Sequence, residues 1–278
     1  MTNAHGFTRR HVVAGTSAVI GSAVLGTGTA SARPATSSPS AARPTVVLVH
    51  GAFVDGASWA PVIARLQAKG HAVIAAANPL RGLEADAAHV RSVLAHVDGP
   101  AVLVGHSYAG AVITQAAASA PNVKALVYVA ALIPDVGETT GELAFRYPGS
   151  ELQPTLEEVP APGGDGSAGV DLYIRQDAFP RVYAADSPIA DARVFAAAQR
   201  PIHAAALAEP ATEAAWHTLP SWTLITTADR ILPLDLQKFQ ADRARSVTRS
   251  VNASHLVQRS CPVAVVSMID AAVKATVH

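Results

Sequence analysis

From Thr45 onward the chain alternates short, continuous apolar runs with segments whose apolar residues recur every three or four positions. "TVVLVH" (45–50), "HAVIAAA" (71–77), "AVLVG" (101–105), "VKALVYVAA" (123–131), "SWTLITT" (221–227) and "SVTRSV" (246–251) read as strands. Between them, Ser58 to Lys69 reads as a helix closed by Gly70. Leu83, Ala87, Val90, Leu94 and Val97 mark one face of a second helix, and a third spans Tyr108 to Ala120, stopped by Pro121. A further helix is expected over Leu234 to Arg245. Strands that are apolar throughout must be buried on both faces, so the alternation predicts an α/β fold with a mostly parallel sheet. Ligand sites in such sheets lie beyond the carboxyl ends of the strands. The pattern breaks between about 136 and 220, where "LQPTLEEVPAPGGDGSAG" precedes helical pieces such as "ADARVFAAAQRPIHAAALAEP". An insertion that long reads as a lid over the site.

One of those carboxyl ends carries chemistry. "GHSYA" (105–109) places Ser107 between a strand and a helix, the arrangement that projects a serine hydroxyl outward on a tight turn. Small residues are required there because positions two before and two after the serine crowd the neighbouring backbone. Valine at Ala109 is accordingly expected to cripple folding or activity. A serine of this kind needs a base, and the base needs an acid to hold its tautomer, in the chain order Ser, acid, His. Asp229 follows the strand "SWTLITT", and His255 follows the last strand. Asp135, in "LIPD", is the rival acid; Asp229 fits the commoner arrangement, and Asp135 is assigned to capping or pairing at the lid entrance.

The chain has 11 histidines, so position decides among them. His5 and His11 precede the fold, His278 is terminal, His71 begins a strand, and His89 and His96 lie on a helix. His203 and His217 fall in or near the lid, where contact with substrate is conceivable. His106 adjoins the serine but points elsewhere in a turn of this type. An oxyanion requires two donors, assigned to the N–H groups of Tyr108 and of Ala52 in "HGAF" after the first strand. His50 is read as bonding loop carbonyls behind them. Phe53, Trp59, Tyr173, Phe179 and Phe195 are candidates to line an apolar substrate pocket, with core packing the competing reading for each.

Composition excludes other classes. Lys plus Arg and Asp plus Glu each total 21, which leaves no electrostatic footprint for nucleic acid. Cys261 stands alone before Pro262, so no intramolecular disulfide and no cysteine metal site is expected, and the thiol reads as buried and inert.

Residues 1–32 read as a twin-arginine export signal: Arg9-Arg10, an apolar Gly/Ala-rich run from Val12 to about Leu25, then Ala30-Ser31-Ala32 for cleavage. That run is too interrupted and short for a membrane anchor. Residues 33–44, rich in Pro, Ser and Ala, read as a linker, and 45–278 as the folded domain. A secreted or periplasmic location follows as an expectation.

With "LVHGAFVDGASW", "LVGHSYAG", "TTADRILP" and "NASHLVQRSCP" on the page, the chain resembles the α/β-hydrolase superfamily. Within it the nearest likeness is to small esterases of the group that includes methyl-salicylate-type esterases and hydroxynitrile lyases. The resemblance covers about Thr45 to the C-terminus and is weakest across the lid. It implies a six-stranded core, a Ser–His–Asp triad at Ser107, His255 and Asp229, oxyanion donors at Ala52 and Tyr108, and no cofactor or metal. The related lyases carry a lysine directly after the triad histidine. Leu256 stands there in this chain, which favours hydrolysis; the overall reading is an exported serine esterase of a small or medium, fairly apolar carboxylic ester. The alternatives are a lyase, lactonase or cofactor-free peroxidase-type enzyme on the same triad, or a non-catalytic ligand binder of the same fold.

Overall fold

A computed structural model describes residues 43–162 and 168–277. The expected export signal (1–32) and the linker as far as residue 42 lie outside the described residues.

Six parallel strands form the main sheet: β1 (Thr45–Val49), β2 (Val73–Ala76), β3 (Ala101–His106), β4 (Val123–Val129), β8 (Ser221–Thr226) and β9 (Val247–Val251), in the order β2-β1-β3-β4-β8-β9. Each lies within two residues of its expected ends. The central strands β1, β3, β4 and β8 are almost wholly buried, whereas β2 and β9, the edges, leave most of their residues exposed or half-exposed. The polar "VTRSV" of β9 suits an edge that must not pair further.

Side chains alternate across this sheet with a period of two. Val46, Leu48, Val102, Val104, Val127 and Val129 face α1 (Ala60–Ala68) and α10 (Pro262–Ala275), together with the short α9 (Val257–Ser260). Val47, Val49, Leu103 and Tyr128 face the opposite core, which is built on α2 (Leu83–Leu94) and α3 (Ala109–Ala117) with Leu236 of α8 (Leu234–Arg243). Every residue of α3 is buried, which explains why it is made of Ala, Gly, Val, Ile, Thr and Gln. Gly70 follows α1 with φ +77°, the left-handed value a helix-ending glycine supplies. Cys261 differs from the reading above in being only half-buried, at the foot of α10.

Between β4 and β8 the chain forms α4 (Thr140–Ala144), β5 (Leu156–Pro162), β6 (Ala168–Ile174), α5 (Phe179–Val182), α6 (Ile189–Ala197), β7 (Ile202–His203) and α7 (Ala204–Ala208). Strands β5, β6 and β7 make a three-stranded antiparallel sheet, which the sequence reading did not anticipate. β5 is "LEEVPAP": its acids and prolines disguise it, but on an exposed outer strand prolines cost no ladder bond. The stretch 190–210 holds the helical pieces expected of it, α6 and α7. Pro201 divides them, and β7 occupies the break.

This insertion is stitched to the core. Arg81 pairs with Asp171 at 2.5 Å, and Glu209 accepts from the N–H groups of Leu83 and Glu84 at the start of α2 (2.6 and 3.3 Å). The Glu209 carboxylate thus supplies the acceptor that Gly82, at the cap position, lacks.

Candidate active site

Ser107 has φ +55°, in the left-handed region that a residue bearing a Cβ avoids. The surroundings over-determine it. Its N–H donates to the carbonyls of Val129 and Ala130 (3.2 and 3.1 Å), while its carbonyl accepts from the N–H groups of Gly110 and Leu132 (2.9 and 3.1 Å). The turn closes only because glycine sits on both sides. A Cβ on Gly105 would lie 2.6 Å from the Ala109 carbonyl oxygen, and one on Gly110 would lie 2.3 Å from the Leu132 carbonyl oxygen. Strain held in place this way is characteristic of functional positions.

His255 and Asp229 arrive from the ends of β9 and β8. His255 Nε2 lies 2.8 Å from Ser107 Oγ, and His255 Nδ1 lies 2.8 Å from Asp229 Oδ2. Both side chains are fully shielded from solvent. Asp229 is itself fixed: Oδ1 accepts from the N–H groups of Ile231 and Leu232 (2.8 and 3.0 Å), and Oδ2 also accepts from the Thr226 hydroxyl (2.9 Å). With the carboxylate accepting at Nδ1, Nε2 is left as the acceptor for the serine proton. Asp135 is elsewhere, paired with His217 at 2.9 Å. The structure therefore brings Ser107, His255 and Asp229 into one line and leaves Asp135 out of it.

Two neutral histidines support this line. His106 donates from Nε2 to the His255 carbonyl (2.9 Å) and packs against its ring at 4.9 Å between centroids. His50 donates from Nδ1 to the Gly51 carbonyl and accepts from the Asn78 N–H, both at 3.0 Å. Burial pushes both imidazoles below the ordinary 6.5. The unfolded chain therefore binds two protons below pH 6.5 that the folded chain refuses. The stability that these groups contribute is complete above that pH and is lost as pH falls, by at most about 1.4 kcal/mol per pH unit for each. Asp86 has the opposite sign. Burial raises its carboxyl, so its contribution is present at low pH and is lost as pH rises above the ordinary carboxylate value. Urea denaturation across this range should show stability falling on the acid side, with one proton less of dependence in His106→Gln. Identical slopes for the two proteins would contradict the assignment.

Ala52 and Tyr108 line the same cavity as Ser107. The neighbouring Phe53 N–H is occupied by the Arg200 carbonyl (3.0 Å). Among the described residues neither the Ala52 nor the Tyr108 N–H donates to a protein acceptor. The Tyr108 hydroxyl is held by the buried Asp86 carboxylate at 2.9 Å.

The cavity is a narrow slot of about 50 Å³, lined by Leu132, Phe145, Leu152, Leu156, Ile202, Leu207, Ile231 and Leu232 beside the residues above, without a charged side chain. Of the five aromatic candidates, Phe53 lines it. Trp59 packs on the far face of the sheet, edge-on to His106. Phe179 is stacked beneath Tyr183 at 4.8 Å. Phe195 lies under the Arg259 guanidinium, and Tyr173 sits half-buried on β6 opposite Glu157. None of these four lines the slot; Trp59, Phe179 and Phe195 are instead packed against neighbours away from it. His203 accepts from the Ala205 N–H at the start of α7 and does not reach the cavity either. Leu132, Ile231 and Leu232 follow strand ends directly and were within reach of sequence reasoning; the remainder come from the insertion, whose path the sequence does not reveal.

Among the described residues no cluster of side chains could hold a metal ion, and no helix is long and apolar enough to cross a membrane. Residues 46–268 match the Alpha/beta hydrolase family. A stretch of 106 residues is 35% identical to a carbendazim hydrolyzing esterase of Nocardioides sp. (strain SG-4G), covering 34% of this chain and 44% of that protein. The match thus spans less than half the length of that relative. Among solved structures, polyneuridine aldehyde esterase superposes with a TM-score of 0.72 at 17% identity, over 83% of this chain and 99% of that one. A pyrethroid hydrolase from Sphingobium faniae JZ-2 superposes with a TM-score of 0.67 at 21% identity, over 84% and 98%. At such identities the likeness is one of fold.

Proposed function

Because this chain belongs to the alpha/beta hydrolase family, we propose that its Ser107–His255–Asp229 line makes it a serine esterase of small to medium apolar carboxylic esters. The observation that carries the proposal is the unbroken hydrogen-bonded path from the buried Asp229 carboxylate through His255 to a strained serine that opens on an apolar slot.

In this reading His255 Nε2 takes the Ser107 proton as Oγ bonds to the ester carbonyl carbon, and the carbonyl π pair moves onto oxygen. The Ala52 and Tyr108 N–H groups receive that oxyanion, the latter at the N-terminus of α3. Collapse of the intermediate breaks the bond to the alcohol oxygen, which leaves with the proton carried by His255. Water then attacks the acyl-enzyme, with His255 again accepting the proton; collapse breaks the bond to Ser107 Oγ, which takes the proton back from His255 as the acid departs. Asp229 stabilises the imidazolium formed in each half. The charge-free lining of the slot supports an uncharged substrate, because an ion desolvated there would find no partner. The curated relative, named an esterase, and the pyrethroid hydrolase of like fold are consistent with this chemistry. The proposal includes the insertion between β4 and β8 as a cap over the slot, and export of the enzyme by the twin-arginine signal in residues 1–32.

A serine-reactive phosphonate tests the reading. It is expected to add once, on Ser107, with p-nitrophenyl esters from acetate to octanoate hydrolysed and the rate falling at the long end as the slot fills. Absence of an adduct on well-folded protein would overturn the esterase assignment. Labelling without turnover of any ester would move the chemistry to the lyase class.

A further inference from the structure

Tyr183 joins the insertion to both halves of the site. It follows α5, is fully buried, and donates its hydroxyl to the Ala52 carbonyl at 2.8 Å. The next N–H in that loop, of Phe53, donates to the Arg200 carbonyl at 3.0 Å. Both polar groups of the Ala52–Phe53 peptide unit are thus held by the insertion. That unit precedes a left-handed aromatic residue: Phe53 has φ +65°. Left alone, the peptide plane could rotate to relieve that conformation; bonded at both ends, it cannot do so without breaking two hydrogen bonds.

The same residue reaches the histidine loop. The Tyr183 carbonyl accepts from the Leu256 N–H at 3.0 Å, directly after His255. Its ring stands edge-on to the His255 imidazole, 4.8 Å between centroids at 77°. Phe179 stacks on the same ring at 4.8 Å. Burial, with the Asp229 charge nearby, pushes the phenol well above its ordinary range, so the hydroxyl remains a donor at every working pH.

We propose that Tyr183 is a positioning residue for acyl transfer, its hydroxyl aligning the oxyanion loop at Ala52 while its ring and carbonyl seat the His255 loop. The inference rests on the esterase reading above. Tyr183 does not line the slot, so it acts through Ala52 and His255 and not on substrate. Packing alone would require the ring; the hydroxyl is what positioning adds.

Tyr183→Phe separates the two, since it keeps the ring and the backbone carbonyl and removes one hydrogen bond. The expected result is a kcat about 10-fold lower, smaller than the 10²–10³ that follows loss of an oxyanion donor itself. KM should stay within about two-fold, because the hydroxyl acts on the oxyanion loop and not on substrate binding. A trifluoromethyl ketone, whose adduct on Ser107 carries an oxyanion, should bind about 10-fold more weakly, and phosphonate labelling should slow by the same factor. Wild-type kcat, labelling rate and ketone affinity, with only the melting temperature lowered, would overturn the inference and leave Tyr183 as packing. Failure of the phosphonate to label the wild-type protein would remove the esterase reading and this inference with it. Normal wild-type labelling beside an unchanged variant would remove the inference alone.

Discussion

His255→Ala is expected to lower kcat for p-nitrophenyl butyrate by four to six orders of magnitude while the protein remains folded, about the loss seen when a unit of this kind is broken. Without Nε2 2.8 Å from Oγ, nothing within reach accepts the serine proton. Ser107→Ala should cost about as much, and the double variant no more than either, because the two act as one device. Asp229→Asn is the more instructive change. Oδ1 is taken by the N–H groups of Ile231 and Leu232, so asparagine would keep its oxygen there and turn its NH₂ toward His255 Nδ1. That forces Nδ1 to accept and Nε2 to carry the proton, the wrong tautomer for a base, with an expected loss of about 10⁴ in kcat. Circular dichroism confirms folding in each case. Retention of even a hundredth of wild-type activity in His255→Ala would refute the assigned base.

Gly110→Ala should be the most damaging single-methyl addition near the site. Its Cβ would lie 2.3 Å from the Leu132 carbonyl oxygen and 2.8 Å from the Ala131 Cβ. Neither can yield cheaply, because the Leu132 N–H is bonded to the Ser107 carbonyl. Relief requires α3 to withdraw from the chain after β4, which drags the serine turn with it. A loss of at least about 3 kcal/mol in urea denaturation is expected, at the upper end for overpacking because backbone and not a side chain is in the way. Wild-type stability together with wild-type activity would contradict the geometry. Valine at Ala109 is also disfavoured, since that methyl is already fully buried, but the tighter position is one residue further on.

That shift illustrates what the sequence could carry. The run of buried strands and the residues just past their ends were legible because each depends on local pattern: a strand must be apolar throughout to lie centrally, and a nucleophile turn must be small. Hence Ser107, Asp229 and His255 could be placed from chain order, and the structure brings them within hydrogen-bonding distance. Which atom crowds which was not legible, because Gly110 meets Leu132 across a sequence gap that no periodicity reports. Four of the five pocket aromatics lie elsewhere for a related reason. Trp59, Tyr173, Phe179 and Phe195 are large and apolar, and such residues satisfy either a core or a cavity; only the path of the insertion decides. That path turns on β5, whose prolines and glutamates look like loop, and on β7, two residues that no pattern marks between two helical pieces. Tyr183 and Asp86 escaped notice because a buried hydroxyl or carboxylate is defined by its partner, and the partners lie 131 and 22 residues away in the chain.

The Phe53–Arg200 bond, read along the direction of synthesis, sets an order of events. Residue 53 leaves the ribosome long before residue 200, so the oxyanion loop has no anchor until most of the insertion exists. Strand β4 must likewise wait for β8 to become its neighbour. His255 comes later still, some 148 residues after the serine it contacts. A nascent or truncated chain therefore carries Ser107 without its base and without a fixed oxyanion loop, as an ordinary hydroxyl. On the proposed reading, reactivity therefore arises only with completion of the fold.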